Sequence, residues 1–146
     1  MKNLTNSLIG GIAGAIALNI LHQTVKQFVH EAPRVDLIGE EGIARGMERA
    51  GFKPLTGDAL FSVTLVTDLI SNSAYYMMIG MGKKKYLLYH GAAHGLCAGI
   101  GALTLIRPMG LSDAPVARTN ATRLMTVAWY TFGGIIAGWT MKALRK

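Results

Sequence analysis

The sequence predicts an all-α fold: a bundle of four transmembrane helices with a short amphipathic surface helix between the first and second spans. Three observations predict it. Hydrophobic residues make up 51% of the 146, while only 16% are charged. The apolar residues gather in four stretches, each close to the ~20 residues an α-helix needs to cross ~30 Å of hydrocarbon. Those stretches are apolar nearly all round, whereas a soluble surface helix keeps a charged face. A mean hydropathy of +0.33 excludes intrinsic disorder. One cysteine excludes an intramolecular disulfide framework. Four crossings leave room for a single integral membrane domain, residues 1–146.

The first span is read over residues 4–29, with its apolar part ending near Leu21. Ala15-Ile16-Ala17 has the small-x-small form of a leader cleavage site, but the apolar run continues past it, and retention as a first transmembrane helix is expected. The second span is read over 59–81, the third over 86–106 and the fourth over 123–144. Their ends carry Lys83-Lys84-Lys85, Arg107-Pro108 and Thr119-Asn120, the polar and helix-breaking punctuation expected at an interface.

With four crossings both termini share a side. Lys2, Lys83, Lys84, Lys85, Lys142, Arg145 and Lys146 fall there, with no acid among them. The other eight basic residues share the opposite side with seven acids, so the net charge of +7 sits at the terminal face. Counted as Lys and Arg alone the two sides nearly tie, but the seven are crowded into short tails and one tight turn. The positive-inside rule then puts both termini in the cytoplasm, in a bacterial inner (plasma) membrane. Such a face attracts anionic headgroups; a nucleic-acid partner is not expected, because the lysines flank spans. Tyr86, Tyr89, Trp129 and Trp139 fall at interfacial depths and read as membrane anchors.

The segment 32–57 is the one sizeable stretch outside the spans. Leu37, Ile38, Ile43, Ala44, Met47 and Ala50 recur at helical spacing, with Glu40, Glu41, Arg45, Glu48 and Arg49 between them. It reads as an interfacial helix closing the bundle, or as a docking lid. Gly39, Gly42 and Gly46 weaken it by ~1 kcal/mol each, so packing has to hold it.

Small residues recur every fourth position: Gly10 and Gly14, then Gly91, Gly95 and Gly99, then Gly134 and Gly138. Lipid gives helices no hydrophobic reason to associate, so close backbone contact through such glycine zippers is the usual solution. They predict a tightly packed bundle, a homo-oligomer or a place in a larger membrane complex.

Polar groups at membrane depth are the candidate functional residues. Thr64, Asp68, Ser71, Asn72 and Tyr75 share one stripe of the second span, and His90, His94 and Cys97 share one face of the third. At ~1.5 Å rise per residue, Asn72 and His94 come ~12 Å in from the terminal side, Asp68 and Cys97 ~18 Å, and Asn19 and Tyr130 ~20 Å. A carboxylate there costs at least ~2.5–3.5 kcal/mol, so it must be protonated, paired or wetted. The expected partners of Asp68 are Asn72, His94 and either Asn19 or Tyr130. The intramembrane cluster is therefore Asn19, Asp68, Asn72, His90, His94 and Tyr130, as packing glue or as a proton or cation path. Asn19, His22, Gln23 and Lys26 continue a polar stripe outward, read as the solvated end of a long helix.

His90, His94 and Cys97 are weak metal-ligand candidates, since a pair of histidines four apart can share one ion but a transition metal wants further ligands. Cys97 is expected to be buried and inert. A haem held between the first and third helices is not expected, because His22 and His94 differ by ~15 Å in depth. No catalytic constellation is complete. Composition and spacing thus predict a small non-enzymatic membrane protein acting through helix packing, as an accessory or oligomer-forming subunit; the alternative is a small proton- or cation-handling channel or transporter using the Asp/Asn/His cluster.

Overall fold

The computed structural model describes residues 2–145. Met1, Lys146 and the Lys2 side chain lie outside that description, and two of the terminal-side charges with them. The described chain is all-helical, without strands. Helix α1 is Lys2–Val25, α2 Val35–Arg49, α3 Gly57–Met77, α4 Leu87–Thr104, α5 Ala114–Ala117 and α6 Asn120–Leu144; 3₁₀ turns at Met78–Met81 and Lys84–Tyr86 join α3 to α4.

Among the described residues one helix, Asn3–Val25, is by length and composition apolar enough to cross a membrane. The other three long helices fall short of that mark because of the polar side chains they contain: Asp68, Asn72 and two tyrosines in α3, His90 and His94 in α4, and Trp129, Tyr130 and the threonines in α6. Length and apolar content therefore support one candidate span where the sequence predicts four.

The four long helices make an open arc in the order α3–α1–α6–α4. Glycines set the two central seams. A methyl group on Gly91, Gly95 or Gly99 would collide with the α6 backbone at Gly134, Tyr130–Thr131 and Val127. Gly10 and Gly14 face Met141, Ala137 and Gly133 of α6 in the same manner, while Gly11 packs on Ser73 and Met77 of α3. The predicted small-residue stripes thus lie inside the chain, against its own helices. The core between them is Leu18, Tyr76, Ile79, Leu87, Trp129, Tyr130, Ala137 and Met141.

Each end of the bundle is tied by its own polar contacts. At the terminal end Arg145 turns inward and donates to the carbonyls of Gly80 and Gly82, bracing the α3–α4 turn. Lys83, Lys84 and Lys85 remain exposed. At the opposite end Arg118 donates to the carbonyls of His30 and Ala32. Thr119 caps α6 by accepting from the Thr122 amide at 3.0 Å.

Helix α2 forms despite its glycines, and its packing explains why. Gly39 lies so close to the Thr64 methyl that a Cβ there would clash, so this glycine seats α2 on α3. The helix ends in a Schellman motif: Gly51 (φ 80°) donates to Glu48 O at 3.0 Å and Phe52 to Met47 O at 2.9 Å.

Two expectations are corrected. Trp129 is buried against His22, with ring centroids 5.4 Å apart, and is a core residue instead of an interfacial anchor. The carboxyl end of α1 is not solvated either. His22 and Lys26 are covered because the chain after α1 folds back over them, placing Pro33 O 2.7 Å from His22 Nε2 and Asp36 2.9 Å from Lys26 Nζ. Tyr86, Tyr89 and Trp139 are exposed near the helix ends.

Candidate functional site

Helices α3 and α4 hardly touch. Tyr75 near the end of α3 donates at 3.0 Å to the His94 carbonyl, and beyond that point the two helices separate toward α2. The gap is a cleft of about 610 Å³, within the ~300–1,000 Å³ typical of small-molecule sites. Its α4 wall is small and apolar, from Cys97 and Ala98 through Gly101 and Ala102 to Leu105. Its α3 wall carries Phe61, Thr64, Leu65, Asp68, Asn72 and Tyr75, with Asn19 and Tyr130 behind and Ile38 and Gly39 of α2 at one end.

Asp68 stands at the centre of the polar wall. Its Oδ2 accepts from the Asn19 amide at 2.8 Å and its Oδ1 from the Asn72 amide at 2.9 Å. Asn19 also donates to Ala15 O at 3.1 Å, which fixes its orientation on α1. Both amides are neutral, so they hold the carboxyl in place without setting an opposite charge against it. Tyr130 lines the same space, and its carbonyl accepts from Tyr76 Oη at 2.7 Å.

His94 is placed differently from the sequence expectation. Its Nδ1 lies 2.9 Å from the His90 carbonyl, and its ring sits beside Tyr75, not at Asp68. His90 covers Gly82, and the two imidazole centroids are 6.4 Å apart. The splay of α4 away from α3 is what separates the histidines from the carboxyl. Cys97 is exposed and lines the cleft, which corrects the expectation of burial. Among the described residues no three His, Cys, Asp or Glu side chains converge to hold a metal ion.

Thr64 carries a signal that composition does not show. It is 4% exposed, and among the described residues its hydroxyl has no hydrogen-bond partner. By contrast, Thr104, Thr126, Thr131 and Thr140 each donate to the carbonyl four residues back on their own helix. An unpartnered buried hydroxyl costs ~1–3 kcal/mol, and this one lies on a residue of the cleft wall, one turn before Asp68.

A second polar cluster fastens α2 over the cleft. Asp36, in the first turn of α2, accepts from Lys26 at 2.9 Å and from Arg34 at 2.8 Å, and His22 Nε2 lies 3.9 Å away. Burial alone would raise the Asp36 carboxyl; the Arg34 and Lys26 hydrogen bonds outweigh it and hold the group at about 2. Sequence reading missed this cluster, although Lys26, Arg34 and Asp36 bracket the turn between α1 and α2.

Comparison with protein-family models, curated proteins and solved structures finds no match for this chain. Its chemistry has to be read from the cleft itself.

Proposed function

We propose that this chain is a four-span integral membrane protein that admits a small amphipathic molecule from the bilayer into the cleft between α3 and α4 and holds it at Asp68. The carrying observation is the cleft: a largely apolar slot in which Asp68, held by Asn19 and Asn72, stands on one wall.

The membrane reading draws on what faces outward. Leu4, Leu8, Ile12, Ile16 and Ile20 form one stripe along α1, all more than 40% exposed. Val63, Val66 and Ile70 on α3, Leu96 and Ile100 on α4, and Leu124, Phe132, Ile135 and Trp139 on α6 continue the belt. In water these would be an apolar surface far larger than soluble monomers show; in lipid they are the ordinary outer surface of a bundle. The basic turn Lys83–Lys85 supports a cytoplasmic terminal face, and a bacterial plasma membrane is the setting that charge pattern fits.

The accessory or oligomer-forming reading has less support, because the glycine stripes on which it rests pack within the chain. The ligand reading builds on the alternative, in which the intramembrane polar cluster is the working part.

Two measurements test the proposal. The protein is expected to stay in the pellet after alkaline carbonate washing and ultracentrifugation; recovery in the supernatant overturns the membrane reading. Gently solubilised protein is expected to carry a small-molecule adduct in native mass spectrometry, lost in Gly101→Phe. Gly101 lines the cleft, and a Cβ there meets only Leu105, so a larger side chain extends into open space. An adduct equally abundant in that variant overturns the assignment to this cleft.

A further inference from the structure

We infer that the cleft selects a lipophilic ammonium ion: a primary to tertiary ammonium on an apolar body. The inference rests on the ligand reading above and names the class of its ligand.

The first ground is charge. Two carboxyl groups line the cleft, and only one is matched. Asp36 is matched by Lys26 and Arg34, which both point at it. Among the described residues Asp68 receives two neutral amides and no Lys, Arg or His hydrogen bond. A carboxylate offers about four lone-pair sites, of which two are used here, so capacity remains for N–H donors of a visitor. An ionised group in an apolar setting gains most from a counter-ion within reach.

The second ground is Thr64, a cleft-wall residue one helical turn from Asp68 whose hydroxyl is buried and, among the described residues, unpartnered. An oxygen left without a donor gains by accepting from any ammonium N–H that reaches it. The third ground is aromatic. Phe61, Tyr75 and Tyr130 all line the cleft, and aromatic faces attract cations by ~0.5–2 kcal/mol. Phe61 already takes the Lys26 ammonium 5.4 Å from its ring centroid. Opposite these groups, Ala98, Gly101, Ala102 and Leu105 leave room for an apolar body but contribute no donor or acceptor side chain. A carboxylate and rings on one wall and an apolar surface on the other are complementary to a cation carrying a greasy group.

The test uses two probes of one shape: 1-adamantylammonium and neutral 1-adamantanol. Binding to the purified full-length chain in lipid nanodiscs is measured by equilibrium dialysis at neutral pH. The ammonium is expected to bind saturably and at least tenfold tighter than the alcohol. Asp68→Asn is expected to bring the two probes to parity, Asp68→Glu to keep the preference, and Gly101→Phe to abolish saturable binding of both. Equal affinities in the unaltered protein overturn the cation inference and leave the cleft reading standing. Binding of the ammonium that survives Gly101→Phe overturns the cleft as its site. Saturable binding of neither probe overturns the inference. If Asp68→Asn fails to fold, the comparison of the two probes on the unaltered protein still decides.

Discussion

Gly91 of α4 and Gly134 of α6 meet backbone to backbone: a methyl group on either would collide with the carbonyl oxygen of the other. The obstacle is main chain on both sides, so no rotamer change can relieve it. Gly134→Ala is therefore expected to force the α4–α6 seam apart and cost roughly 1–3 kcal/mol, the usual range for overpacking. Thermal unfolding followed by circular dichroism in detergent measures it. An unchanged midpoint would mean that the two helices are not in this register.

Gly46 of α2 gives the opposite sign. It is helical, and a Cβ there meets nothing within 4 Å. Gly46→Ala is expected to stabilise α2 by about 0.5–1 kcal/mol through the smaller conformational entropy lost on folding. The readout is slower hydrogen exchange of the α2 amides. Gly39→Ala, pressed against Thr64, should instead speed it.

The fastening of α2 has a definite dependence on acid. The folded Asp36 carboxyl is held at about 2, below the ~3.9 of a free aspartate. A depressed folded value means that the stabilisation is fully present above the unfolded value and lost as pH falls through the folded one. Between about pH 4 and pH 2, α2 should loosen. Asp36→Asn removes that pH dependence and costs roughly 1.5–3 kcal/mol at neutral pH, the range for hydrogen bonds to charged groups. Hydrogen exchange of residues 35–49 at pH 7 and pH 3 in both proteins measures it.

The long helices were legible because their signals are local. Lys83-Lys84-Lys85 and Arg107-Pro108 bound apolar runs, and the fall-off after Leu21 lies close to the observed end of α1 at Val25. Part of the polar site was legible by depth alone. A rise of ~1.5 Å per residue puts Asn19 and Asp68 at one level, and they are hydrogen-bonded. The angle between two helices is not local, so His94 was read as a partner of Asp68 although α4 leans away there. Trp129 and His22 were misread for a related reason. The segment 30–36 that covers them is polar and looks like solvated loop, yet its carbonyls at His30, Glu31, Ala32 and Pro33 all accept hydrogen bonds from elsewhere in the fold. The missing partner of Thr64 had no sequence signature, because any helical threonine can bond its own backbone.

Asn19 links α1 to α3 through Asp68 and is buried. Asn19→Ala removes one of the two donors that orient the carboxyl and leaves one oxygen unpaired. The expected cost is ~1–3 kcal/mol of stability from the unsatisfied acceptor, seen as a lower unfolding midpoint in detergent. Asn72→Ala removes the other donor from within α3, so it should affect the carboxyl similarly while leaving the α1–α3 contact intact.

Cys97 reports whether the cleft is open. It is the one cysteine of the sequence, it is exposed, and it lines the cleft. The thiolate is the form that adds to N-ethylmaleimide, so modification requires both access and water at the sulfur. In intact membranes Cys97 is expected to be alkylated, and Gly101→Phe, one turn along the same helix, is expected to slow the reaction several-fold by filling the space. Mass spectrometry of the intact chain over a time course gives both rates. A thiol that reacts only after denaturation would mean that α3 and α4 close against each other in the membrane; equal rates in the two proteins would mean that reagent reaches Cys97 from outside the cleft.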